Sequence, residues 1–189
     1  MHTPSFLLVV LAPSLSLCLP SHSKTTFTHW QSAANSTVTC STTSDKMIAV
    51  AVGPQLSAVL NDACAAMMPI CAYQDRVPPD TICVQTVDWE LDGAKSSVQS
   101  VDVEDKGSGE NIDGWAAKFS VTPALQSIAA DTAGVFWTKA DCYGYFAKIV
   151  ADAEPAGCHS DMGSGAGSVT VGGTSSLAGT VFSVEIIEN

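Results

Sequence analysis

Basic residues are scarce in this chain. Eight lysines and arginines face nineteen acidic residues, for a formal charge of −11, and Arg76 is the only arginine. Such a surface cannot build the basic groove that a phosphate backbone requires, so nucleic acid is excluded as a partner. The same shortage disfavours docking onto anionic lipid. Uninterrupted apolar runs are also short. None reaches the ~20 residues that a helical membrane span needs, so no membrane span is expected. Metal-ligand spacings are missing: there is no C-x-x-C and no H-x-x-x-H, and no metal or other cofactor is expected. No G-x-S-x-G nucleophile elbow occurs either.

Cysteine, by contrast, is plentiful. Seven are present, and Cys18 falls within the apolar stretch Phe6 to Leu19, which has the length of a signal-peptide core. Two cleavage points satisfy the small-residue rule, after Cys18 or after Ser23. Residues 1–23 are therefore expected to be a signal peptide. Removing it leaves Cys40, Cys64, Cys71, Cys83, Cys142 and Cys158, and an even number in a secreted chain reads as a disulfide framework. Residues 24–45 are rich in Ser and Thr and are expected to form a solvated arm. The arm carries the single sequon, Asn35-Ser36-Thr37, a candidate N-glycosylation site. Hydrophobic residues make up 46% of the chain, enough to give 46–189 a packed core as a single domain.

Periodicity supplies the elements. Met47 to Val52 reads as a buried strand. Leu56, Val59, Leu60, Ala63, Cys64 and Met67 recur at helical steps until Pro69 stops them. Thr81 to Leu91 is rich in β-branched residues and ends in the turn dipeptide Asp92-Gly93. A hairpin is expected there, with Glu90 opposite Lys95, and Ile82 and Val84 facing Val101 and Val103. Trp115 to Val121 alternates as a half-buried strand. Thr122 to Gly134 lacks a period and reads as a loop, and Val135 to Trp137 as a short strand.

Thr138 and Asp141 have the spacing of a capping box. Behind them Cys142, Tyr145, Phe146, Ile149 and Val150 mark a second helix. Ser168 to Val171 and Thr180 to Ile187 complete the set as strands. The order β-α-β-β-β-α-β-β predicts an α+β fold, two helices on one mainly antiparallel sheet, with split β-α-β (ferredoxin-like) connections. Cys64 and Cys142 lie on the apolar helix faces. Bridges from them to Cys40, Cys83 or Cys158 would tie helix to sheet, and the pairing is left open.

Few constellations carry chemistry. His159 and Asp161 beside Ser160 and Ser164 supply the residue types of a triad, but sequence neighbours rarely have its geometry. Asp88, Glu90 and Asp92, with Asp102 and Glu104 on the expected partner strand, offer paired carboxylates. A charged strand edge that deters aggregation accounts for the same residues. Gly163 to Gly167 suggests a phosphate loop but lacks its lysine, and reads as a flexible surface loop. Among the tryptophans, Trp115 and Trp137 are assigned to the core, leaving Trp30 and Trp89 as candidates for stacking on sugar.

The leader, the polar arm, six cysteines and two Cys-bearing helices on a sheet together resemble small secreted cysteine-rich fungal proteins of the effector class. In architecture they are most similar to virally encoded killer toxins of the smut-toxin type and their plant-pathogen relatives, which have an α/β-sandwich core. The likeness lies in layout, with no motif behind it, and the chain has no dibasic processing site. It implies an extracellular, disulfide-stabilised protein that acts by binding a host or competitor target rather than by turnover. A carbohydrate-binding, wall-associated module is the alternative, followed by a small secreted hydrolase working through acidic residues.

Overall fold

The computed structural model describes residues 30–49, 55–124 and 134–189. The expected signal peptide, the start of the polar arm, the apolar run beyond Ala49 and most of the loop from Thr122 to Gly134 lie outside the described residues. The chain order opens with β1 (Thr37–Cys40), β2 (Lys46–Ile48) and α1 (Leu56–Met67), then two short 3-10 turns, Ile70–Ala72 and Gln74–Arg76. β3 (Trp89–Glu90), β4 (Lys95–Ser100), β5 (Val103–Asp105), β6 (Asn111–Ile112), β7 (Trp115–Thr122) and β8 (Phe136–Trp137) follow. After α2 (Lys139–Val150) come β9 (His159–Ser160), β10 (Gly163–Ser164), β11 (Gly167–Thr170) and β12 (Val181–Glu188).

Both helices follow from local signals. In α1 the buried residues are Val59, Leu60, Ala63, Cys64 and Met67, one face at three- and four-residue steps. Pro69 forces Met68 into extended backbone (φ −96°, ψ 156°), and the helix stops. At the start of α2 the Asp141 amide donates to Thr138 Oγ1 and the Thr138 amide to Asp141 Oδ2, each at 3.0 Å. This reciprocal cap satisfies two otherwise unpaired donors.

The fold is α+β, two helices on antiparallel sheets. It departs from the expected single sheet. One five-stranded sheet runs β1-β11-β12-β7-β4, a second runs β6-β5-β2-β10-β9, and β3 pairs with β8 alone. Every pairing between named strands among the described residues is antiparallel, as expected of a mainly antiparallel sheet. The first sheet centres on the β7–β12 ladder, eight pairs from Val181↔Thr122 to Glu188↔Trp115. α2 lies against β11 and β12, and α1 against β4 and α2.

Alternation along β7 and β12 sends Phe119, Val121, Phe182 and Val184 into the core. The opposite face keeps Lys118 and Glu185 paired across strands at 3.5 Å. Phe182 is the hub of the aromatic cluster. It stacks on Tyr145 at 4.9 Å between ring centres, meets Phe146 edge-on at 5.3 Å, and faces Trp137 at 6.3 Å.

Three bridges form: Cys40–Cys158, Cys64–Cys142 and Cys71–Cys83. The second corrects the expectation that each helix is tied to the sheet. The apolar faces of α1 and α2 meet each other, so Cys64 and Cys142, both fully buried, join helix to helix.

Two other expectations are overturned. Part of the expected polar arm joins the body: Val38 and Cys40 pack on the core, and β1 pairs with β11 from Thr37↔Thr170 to Cys40↔Gly167. The hairpin at Asp92-Gly93 does not form. Cys83 is bonded to Cys71, Trp89 pairs with Trp137, and the Leu91 amide donates to the Val135 carbonyl at 2.7 Å. β4 pairs instead with β7, from Lys95↔Val121 to Ser100↔Ala116.

The glycine run at 163–167 is not a surface loop either. Gly163 and Ser164 are buried in β10, and Gly163 has φ 149°. At Gly167 a Cβ would come within 2.5 Å of Cys158 Sγ and 2.8 Å of the Thr39 carbonyl oxygen. The glycines are there because backbone and disulfide approach too closely for a side chain.

Candidate functional site

The most exposed apolar residues of the described chain lie together where the expected hairpin strand fails to pair. Ile82 is 94% exposed, Val84 83% and Val87 80%, and Ile70 at the start of the first 3-10 turn is half exposed. Single exposed apolar side chains are ordinary, but several in succession on one segment are not. The segment is held at its start by Cys71–Cys83, a bridge spanning only 12 residues of sequence. Its other end is fixed where Trp89 and Leu91 enter the core.

Between these anchors, residues 82–88 have no regular secondary structure, and their backbone makes no backbone hydrogen bond among the described residues. A cleft of about 570 Å3 runs beside the segment, lined by Cys71, Gln74 and residues 84–87. The sequence had marked this stretch as strand by its β-branched residues. The signals that it stands free were Pro78-Pro79 upstream and the nearby Cys71, which competes with β4 for Cys83.

A charged cluster lies just before the segment in sequence. Arg76, the lone arginine, donates to Asp62 at 2.6 Å and lies 4.0 Å from Asp75. Lys139 sits over the Tyr73 ring at 4.0 Å, and Arg76 over it at 5.4 Å. Tyr73 is itself buried, and its hydroxyl has no hydrogen-bond partner among the described residues. Burial pushes its ionisation up to about 12, with Asp75 and Asp62 adding to the shift and Arg76 opposing it. A phenol held protonated to that degree is neither a general base nor a nucleophile at neutral pH.

A second concavity, about 690 Å3, lies between Trp30 to Ser32 and the outer face of α2, lined by Tyr143, Gly144, Ala147, Lys148 and Asp152. Trp30 meets Tyr145 edge-on at 4.9 Å, and its Nε1 donates to Asp141 Oδ1 at 3.1 Å. Its indole lies so close to Gly144 that a Cβ there would come within 2.2 Å of the ring. One face of Trp30 is therefore occupied by the helix. Trp89, the other expected stacking candidate, pairs with Trp137 in the β3–β8 ladder and is half-buried. The two candidates lie in different parts of the fold and make no shared platform. Trp137 is in the core; Trp115 is only half-buried, with Lys46 over its ring at 4.4 Å.

The catalytic candidates are placed as follows. His159 Nδ1 lies 3.3 Å from Ser164 Oγ, but Ser164 is fully buried and its hydroxyl donates to the Val150 carbonyl. The hydroxyl proton thus points away from the imidazole that would have to take it. Ser160 donates to the Gly163 carbonyl. The carboxylates are dispersed: Glu90 lies in the two-stranded pair, Glu104 in the second sheet, and Asp92 is paired with Lys95 at 2.6 Å.

Among the described residues three carboxyls have clearly shifted acidity, and all are held below the usual range. The cause is Lys46 for Asp45, Lys95 for Asp92, and Ser108 hydrogen bonds for Asp105. A general acid at neutral pH needs the opposite shift. Among the described residues no three His, Cys, Asp or Glu come together as metal ligands, and no helix is long and apolar enough to cross a membrane.

Asn35 lies exposed in a turn just before β1, with φ 61°. Ser36 Oγ braces that turn, donating to the Ala33 carbonyl and accepting the Gly172 amide. The chain matches no protein family, no curated protein and no solved structure.

Proposed function

We propose that this chain is a secreted, non-enzymatic interaction protein, effector-like or toxin-like, that acts by binding a host or competitor protein. The observation that carries this reading is the exposed apolar segment Ile82 to Val87, clamped by Cys71–Cys83 onto a body stapled by two further bridges. Such bridges persist in oxidising compartments, which supports an extracellular address. The exposed turn at Asn35 is accessible to a glycosyltransferase, and we assign it as a glycosylated position. Oxidised mature protein applied to plant leaf tissue and to yeast cultures is expected to cause cell death or growth arrest, and a reduced and alkylated sample none. No response in either system, or an equal response to both samples, would contradict the reading.

One observation favours a second reading, a cell-wall carbohydrate module. The cleft on α2 combines Trp30 and Tyr143 with Gln31, Lys148 and Asp152, an aromatic and polar lining suited to a sugar ring. Retention on chitin or β-glucan that is lost in Tyr143→Ala would move this reading to the front.

A further inference from the structure

The exposed segment carries a more specific assignment, which rests on the interaction reading above. We infer that residues 82–88 form a docking edge for an extended peptide of the partner protein, one with β-branched or apolar residues at its centre and Lys or Arg at its flanks. The segment offers the two things strand addition uses. Its backbone N–H and C=O groups have no backbone partner among the described residues, those of Asp88 alone being bonded to Thr86 Oγ1, and it contains no proline to interrupt a ladder. Ile82 and Val84, two residues apart, project into solvent where an added strand would set alternate side chains against them, and Val87 is exposed on the opposite strand face. The cleft bordered by Gln74 and residues 84–87 gives such side chains somewhere to go.

Charge decides between occupants. A second copy is the first alternative, because the segment could pair with itself. An antiparallel self-pairing centred on Val84 brings Asp80, in the turn just before the segment, toward Asp88 of the other copy at both ends. Like charges brought together destabilise a pair, and each chain already carries −11. Asp80, Asp88 and Glu90 make no ion pair among the described residues. The two cations nearest in sequence are engaged, Arg76 with Asp62 and Asp75, and Lys95 with Asp92. Unanswered acid at both ends of an apolar centre selects a peptide with the reverse pattern, basic at both ends. The Cys71–Cys83 bridge pins the start of the edge, so less ordering is left to the binding event.

The test is a selection from a random phage-displayed dodecapeptide library on the immobilised oxidised protein. The control is the triple variant Ile82→Ser, Val84→Ser, Val87→Ser. All three side chains are exposed, so the control keeps the fold, to be verified by an unchanged melting temperature. Enriched peptides are expected to carry Lys or Arg on both sides of a β-branched centre. They should bind the wild type at least tenfold tighter than the control, weaken as salt rises, and lose binding when a central residue is replaced by proline. Peptides without basic flanks, or equal binding to the control, would overturn the inference. So would a dimer in sedimentation that the triple variant abolishes, which would make a second copy the occupant. A leaf or yeast response that the triple variant retains would remove this edge and leave the interaction reading standing.

Discussion

Phe182→Ala is expected to lower the free energy of unfolding by about 3–5 kcal/mol, the usual range for removing a fully buried phenylalanine. Phe182 has no exposed surface and lies against Tyr145, Phe146 and Trp137, so its removal opens a void between β12 and α2. The neighbours cannot readily close it. Tyr145 is held by Trp30, its hydroxyl oxygen accepts the Ala33 amide at 3.1 Å, and Phe146 is held edge-on by Phe119. Domains of this size are stable by only ~5–15 kcal/mol, so a loss of this magnitude is a large fraction of the whole. Denaturant titration should show a lower midpoint with an unchanged slope. A cost below ~1 kcal/mol would mean that the aromatic cluster is not the packed centre of the fold.

The second large effect is expected from Cys64→Ala with Cys142→Ala. This bridge closes a loop of 78 residues and joins α1 to α2, the two elements whose packing the sheet does not enforce through hydrogen bonds. Constraint of the unfolded chain accounts for most of a bridge's contribution in the loop-entropy view. Cys40–Cys158 still encloses the same stretch, with a separation of 118, so the effect falls within the ordinary range of ~2–4 kcal/mol rather than above it. Opening Cys71–Cys83 instead frees an exposed segment that already lies outside the core. The ranking is therefore the checkable outcome: the α1–α2 pair should lower the denaturation midpoint more than Cys71→Ser with Cys83→Ser. The reverse order would place the surface loop, not the helix pair, at the centre of the framework.

What could be read from the sequence was what neighbouring residues decide among themselves. The three- and four-residue steps of α1, its stop before Pro69, and the Thr138–Asp141 box need no distant partner to be recognised. Alternation along Trp115–Thr122 and Val181–Glu188 likewise states which face is buried. Pairing was not legible, because propensity says that a stretch suits a strand and not which strand receives it. Thr81 to Val87 has the composition of a strand and ends up unpaired, since Cys71 holds Cys83 and Trp137 takes Trp89. The glycines at 163–167 failed for a related reason. Their composition describes a loop, whereas their burial comes from Cys158, Thr39 and Ile48, all brought there by the fold.

The candidate face was hidden in the same way. Its residues are apolar and β-branched, the marks of a core strand, and only the absence of a partner turns them into a surface. The carboxylates and His159 drew attention by residue type, but the fold places Glu90 and Glu104 in different sheets and sets His159 beside a hydroxyl already spent. Ser164 is the clearest case, a hydroxyl beside an imidazole in sequence and in space, yet spent on the Val150 carbonyl and closed to solvent.

Everything proposed for the exposed edge depends on how the six cysteines pair. The direct measurement is proteolysis of the oxidised, unreduced protein after blocking any free thiol, followed by mass spectrometry of the linked peptides. Peptides joining Cys40 to Cys158, Cys64 to Cys142 and Cys71 to Cys83, with no blocked cysteine among the six, are the predicted result. A peptide joining Cys83 to any cysteine other than Cys71, or a free thiol at either position, would contradict the account, because the exposed segment would then have no clamp at its start.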